Sequence, residues 1–167
     1  EIRNCDWSSD VCSSDLSENF KPNAYDLNDG KITIGFGTTQ YANGQPVKMG
    51  DTITREQAEA EHNHYVTKKI IPQMEKQKWW KGLDPHQRAA VISFSYNHGE
   101  YWHTLPEYKP MVDALSNPSN TKAVSDAWYR FAHNKKDPSL DKGLRNRAAA
   151  ELKVFSGEWK PPERKKN

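Results

Sequence analysis

The run Asn28-Asp29-Gly30-Lys31-Ile32-Thr33-Ile34-Gly35-Phe36-Gly37 constrains this chain more than any other. Asn-Asp-Gly is a tight-turn signal, and the β-branched stretch Ile32-Thr33-Ile34 that follows reads as a strand. Ala24-Tyr25-Asp26-Leu27 lies at the right distance to be its partner, so the run predicts a β-hairpin. Gly35 and Gly37 then allow the backbone to bend closely. A further turn at Asn43-Gly44 predicts one more short strand before the pattern changes.

From residue 54 onward the period is helical. Thr54-Arg55-Glu56-Gln57 has the form of a capping box, opening a helix that runs to Pro72 or kinks there. Ala89, Ala90, Ile92, Phe94 and Tyr96 crowd a mostly buried helix that ends at Gly99. Residues 120–132 read as a third, amphipathic helix. Residues 144–155 read as a fourth, with Leu144, Ala148, Leu152 and Phe155 on one face and Gly157 as its stop. Strands first and helices afterwards predict an α+β fold: a small β-rich lobe over residues 17–65 and a helical lobe over 66–167, with a ligand cleft between them.

Both cysteines, Cys5 and Cys12, fall in the stretch "CDWSSDVCSSDL". Residues 6–16 are the translation, in one frame, of a common sequencing-library adapter, and the flanking residues back to Glu1 fit the same source. Residues 1–16 are therefore read as an assembly artefact and set aside. The native N-terminus, with any export signal it carried, is then expected to be missing, and residues 1 to about 12 are expected to be loosely placed.

Without that stretch the charge rises from +2 to +5. A mildly basic chain suits an anionic polymer but is too weakly charged to argue for nucleic acid. Residues 17–167 hold no cysteine, which excludes a disulfide framework, a thiolate nucleophile and a cysteine zinc site. No apolar run is long enough to span a bilayer.

Three separated motifs resemble the phage-type lysozymes, the muramidase family whose signature is Glu, eight residues, Asp or Cys, five residues, Thr. Glu18 and Thr33 stand at that spacing, around the hairpin "AYDLNDGKITIGFGTT". "LDPHQRAAVISFSYNHGE" is similar to the family's buried helix ending in Phe-Asn-x-Gly, and "GLRNRAAAELKVFSGEW" to its C-terminal GLxxRRxxE helix and following Gly-x-Trp. The resemblance implies a lysozyme-like fold and hydrolysis of the β-1,4 bond between N-acetylmuramic acid and N-acetylglucosamine. It implies no metal or organic cofactor. The role implied is lysis of a host cell wall by a monomer held in the host cytoplasm until its release.

The chemistry fits. Glycoside cleavage needs an acid to protonate the leaving oxygen and a group to meet positive charge at the sugar carbon. Glu18 is the expected acid, its pKa raised by a cleft. Thr33 is expected to hold the water. The middle slot falls on Leu27, which can do neither job. Asp26 is one residue early and would need a β-bulge to reach the right face; Asp29 is two residues late; or no second carboxylate exists. In the last case a water held by Thr33 and backbone would suffice at reduced rate; a lytic transglycosylase, needing one acid alone, and a non-catalytic wall-binding protein are the rival readings.

Asn97, at the end of the buried helix, Gly37 in the hairpin and Arg145 in the C-terminal helix are expected glycan contacts. Arg147 also matches the family's helix, although Ala148 stands where its second adjacent arginine is usual. Trp79, Trp80 and Trp102 could stack on sugars or fill a core. His62 and His64 are two apart on a helix, a poor metal pair, and read as surface residues.

Overall fold

The computed structural model describes residues 20–26, 28 and 30–158. The expectations for residues 1–16, Glu18, Leu27, Asp29 and Trp159 lie outside the described residues. The chain divides into two compact units, the first ending at Lys69 and the second beginning at Ile70.

In the first unit, β1 (Lys21–Asp26) and β2 (Ile32–Gly35) form an antiparallel pair. Tyr25 stands opposite Thr33 and Asp26 opposite Ile32, while Lys21 pairs with Gly35, so the register slips between Lys21 and Tyr25. The two-stranded ribbon needs a partner to be stable. It finds one in a cluster of Ile34, Phe36, Val47, Ile53 and Ala58, with Phe20, Ala24, Ile32 and Tyr41 packed against it. Gly35 is indispensable there. Its φ is +64°, and a Cβ would lie 2.9 Å from that of Ala58.

The expected third strand shrinks to isolated bridges, Gln40–Pro46 across the Asn43–Gly44 turn and Asn23–Thr52 beyond it. The flanking amides do bond, Ala24 N to Asp51 O at 3.0 Å and Ile53 N to Pro22 O at 2.9 Å. Pro22, however, has no N–H to return, so the ladder stops. Helix α1 (Arg55–Tyr65) opens on the predicted capping box. The Thr54 hydroxyl accepts from Gln57 N at 3.1 Å, and the Gln57 side chain accepts from Thr54 N at 3.0 Å. A π-helical turn, Val66–Ile70, follows and leads into the short α2 (Ile71–Glu75). Pro72 sits in the first turn of α2, where its missing N–H leaves no gap in the ladder.

The second unit is built around α3 (Pro85–His98), whose residues 89–95 are all buried. Asp84 and Gln87 close a second capping box at its start. Phe94 is ringed by His98, Trp102, Tyr108, Trp128 and Phe131, with ring centroids 4.0 to 6.1 Å away. Trp79, Trp80 and Trp102 are buried in this core, which removes them as sugar platforms. Two helices complete the unit beside α4 (Lys109–Leu115): α5 (Thr121–Arg130), capped by Asn120, and α6 (Asp141–Phe155). The sequence reading passed over α4. Its signal is Pro110 in the first turn, with Met111, Ala114 and Leu115 buried on one face.

The buried face of α6 is not the predicted one. Ala148 and Phe155 are buried as expected, but Leu144 and Leu152 are only half-buried, and Glu151 and Val154 are buried with them. His62 also departs from expectation. It is 2% exposed, and burial pushes its imidazole down to about 4. His64 is partly exposed.

Candidate active site

Thr33 is the buried polar residue of the hairpin, 5% exposed. Residues directly opposite in an antiparallel ladder share a face, so Thr33 shares one with Tyr25. Ala24, Ile32 and Ile34 occupy the other face and pack on the unit's apolar cluster. The Thr33 hydroxyl makes no hydrogen bond with the described residues. A hydroxyl in a buried residue normally finds a partner, and a water can serve as one here.

Asp26 pairs with Ile32 and belongs to the face opposite Thr33. The irregularity that could have re-aimed it exists, but between Lys21 and Tyr25, before Asp26 is reached. Asp26 is exposed, and its Oδ1 accepts from Asn28 N at 2.7 Å. It thereby closes the turn as an Asx turn does. Gly37, exposed at φ +97°, lies inside the loop closed by reciprocal bonds of 2.9 Å between Ile34 and Thr38.

The helical unit carries a polar node. Asn97, near the C-terminal end of α3, donates through Nδ2 to Ser93 O at 3.0 Å and to Glu151 Oε1 at 3.4 Å. Its Oδ1 accepts from the Arg147 guanidinium at 3.0 Å. Glu151 is 3% exposed and accepts twice more, from Ser93 Oγ at 2.8 Å and from Trp128 Nε1 at 2.7 Å. Burial pushes its carboxyl upward. The bonds from Trp128, Ser93 and Asn97 and the nearby Arg147 charge oppose that rise.

Asn97 therefore meets Arg147, not Arg145. Arg145 is exposed and forms no ion pair among the described residues. His98, one residue on, is held neutral. Burial first and then the Arg147 charge push it down to about 4, and its Nδ1 lies 3.0 Å from the Tyr108 hydroxyl. Sequence reasoning missed Glu151. The available signal was its place at the last position of the GLxxRRxxE-like motif, on the same face as Ala148 and Phe155.

A small antiparallel ribbon followed by a helical unit around one buried helix defines a lysozyme-like fold, the class of glycoside hydrolases that cut cell-wall glycan. Residues 15–151 match the family described as phage lysozyme, and the chain belongs to that family. It is a glycoside hydrolase acting on peptidoglycan. Solved structures share the fold. An endolysin from Escherichia coli O157:H7 phage FAHEc1 aligns with a TM-score of 0.66 at 23% identity, over 90% of this chain and 91% of that one. A P22 lysozyme aligns at 0.61 and 24% identity, over 86% and 94%. The muramidase domain of SpmX from Asticaccaulis excentricus aligns at 0.61 and 18%, over 86% and 90%. No match was found among curated proteins. No helix among the described residues is long and apolar enough to cross a membrane.

Proposed function

We propose that this lysozyme hydrolyses the β-1,4 bond between N-acetylmuramic acid and N-acetylglucosamine, with Glu18 as general acid and Thr33 holding the attacking water. The observation that carries the reading is Thr33 itself, 5% exposed, on the ribbon face away from the apolar cluster, with a hydroxyl that no described residue bonds. Glu18 falls within the matched family segment, fifteen residues before Thr33. It donates its proton to the glycosidic oxygen as the bond breaks. The water on Thr33 attacks the sugar carbon; its proton passes to solvent, and Glu18 is reprotonated from solvent. Asp26, tied to the turn, contributes negative charge near the site rather than a bond to that water. Asn97, Gly37 and Arg145 are the proposed glycan contacts. The working form is a monomer kept in the host cytoplasm until release to the wall.

The test is Glu18→Gln on permeabilised Gram-negative cells. Turbidity loss should slow by about 10²–10⁴-fold while the folded state survives. Unchanged lysis overturns the assignment.

One observation favours a second reading. Leu27 occupies the middle slot, and Asp26 lies on the face opposite Thr33. An enzyme with a single acid can act as a lytic transglycosylase, in which the sugar's own hydroxyl displaces the bond. Mass spectrometry of the products separates the two: reducing ends support hydrolysis, and anhydro-muramic ends support the transglycosylase.

A further inference from the structure

Ser93, Asn97, Trp128, Arg147 and Glu151 come from three helices and close into one hydrogen-bonded unit. Its geometry fixes the roles of each group. Trp128 Nε1–H and the Asn97 amide can only donate to Glu151, and Ser93 Oγ, at 2.8 Å, supplies a third donor. Oε1 receives Ser93 and Asn97, and Oε2 receives Trp128. Ser93 Oγ is the one partner here that could also accept a proton from the carboxyl; Trp128 and Asn97 offer it donors alone. Two of the three partners favour a carboxyl that accepts; burial raises its pKa, and the three bonds together with the Arg147 charge counter that rise.

The carboxylate also decides which way Asn97 faces. The two ends of its amide are chemically opposite. With Nδ2 turned to Glu151 Oε1 and Ser93 O, Oδ1 must turn to Arg147. Reversing the amide would set Oδ1 against the Glu151 carboxylate and Nδ2 against a guanidinium, acceptor on acceptor and donor on donor.

We propose that Glu151 is a positioning residue: its buried carboxylate fixes the orientation of Asn97, and through Asn97 the guanidinium of Arg147, as they are presented to the glycan. This rests on the reading of Asn97 as a glycan contact. Glu151 touches no substrate itself. A side-chain amide in its place offers Oε1 to two donors but must set an NH₂ against Trp128 Nε1–H, or turn over and set it against the Asn97 NH₂. In either arrangement the donor–donor clash drives the side chain from its place, and the bond to Asn97 goes with it.

The test is a double-mutant cycle in the full chain, with kcat and KM measured on purified peptidoglycan. Asn97→Ala and Glu151→Gln should each lower kcat/KM by about tenfold or more. The double variant should be no worse than Asn97→Ala alone, because Glu151 acts through Asn97. Additive losses overturn the proposal, since a general structural role would multiply through. A loss in Asn97→Ala with none in Glu151→Gln overturns the positioning role alone. Unchanged kcat/KM in Asn97→Ala removes the glycan contact and the proposal with it.

If Glu151→Gln does not fold, the triple variant Ser93→Ala, Trp128→Phe, Glu151→Met removes the buried donors together with their acceptor. Apolar replacement of a complete buried network preserves folding in known cases. A folded triple variant should show the same loss of kcat/KM. Wild-type kcat/KM in it overturns the proposal.

Discussion

Tyr25 faces Thr33 directly across the β1–β2 ladder. The pairing commits Thr33 to one side of the ribbon and Asp26, its partner's neighbour, to the other. A two-residue offset in β1 before Tyr25 does not alter this, because the ladder is in register from Tyr25 to the turn. The two side chains that the reaction would most readily use together are therefore on different faces.

Thr33→Val tests the hydroxyl. Valine keeps the branched shape and strand preference. The hydroxyl makes no bond with the described residues, so its loss should change unfolding free energy by less than about 1 kcal/mol in urea titration. Lysis should fall roughly tenfold to a hundredfold. Full lysis by a folded Thr33→Val protein removes Thr33 from the mechanism.

Asp26→Asn separates charge from turn geometry. An asparagine can still accept from Asn28 N, so stability should hold to within about 1 kcal/mol. Lysis should drop by less than about tenfold, far short of the Glu18→Gln loss. An equal loss in the two variants would make Asp26 the second catalytic carboxylate.

Gly35→Ala should destabilise strongly. The residue has positive φ, and its new methyl would lie 2.9 Å from the Ala58 Cβ. The two effects together cost about 2–4 kcal/mol, readable as a lower thermal midpoint. A midpoint within one degree or so of wild type would mean that the hairpin and α1 part easily.

His62 sets an acid limit. Its folded pKa, about 4, lies below the ordinary 6.5 because burial disfavours the imidazolium. The unfolded chain then binds the proton more readily. Stability is full above pH 6.5 and declines as pH falls from 6.5 towards 4. The decline from this group is on the order of 3 kcal/mol. His62→Gln should flatten that part of the curve, with His98 left to supply a decline of its own. Urea midpoints at pH 7 and pH 4.5 for the two proteins measure the difference. Parallel curves would show that His62 is as readily charged in the folded state.

The sequence announced the hairpin, α1, α3 and α6 because each carries a local signal: a turn dipeptide, a capping box, a dense apolar face, a terminal glycine. It could not announce that the third strand reduces to isolated bridges, the later one ending at Asn23–Thr52. That depends on Pro22 facing Thr52 and Ile53 some thirty residues away. The short α4 was too brief for its period to stand out. Glu151 was hidden for a different reason. A glutamate on an amphipathic helix reads as solvent-facing, and here two of its buried partners arrive from 58 and 23 positions earlier. Thr33 was legible by spacing alone, but its separation from Asp26 needed the ladder.

The position of Glu151 along the chain also bears on synthesis. A polypeptide that has emerged only as far as Arg130 holds Ser93 and Trp128 without their acceptor. Packing α3 against α5 at that stage would bury two donors unsatisfied, at about 1–3 kcal/mol each. The helical unit can close without that penalty only after residue 151 leaves the ribosome. A translation product that stops short of that point lacks the acceptor that both donors need.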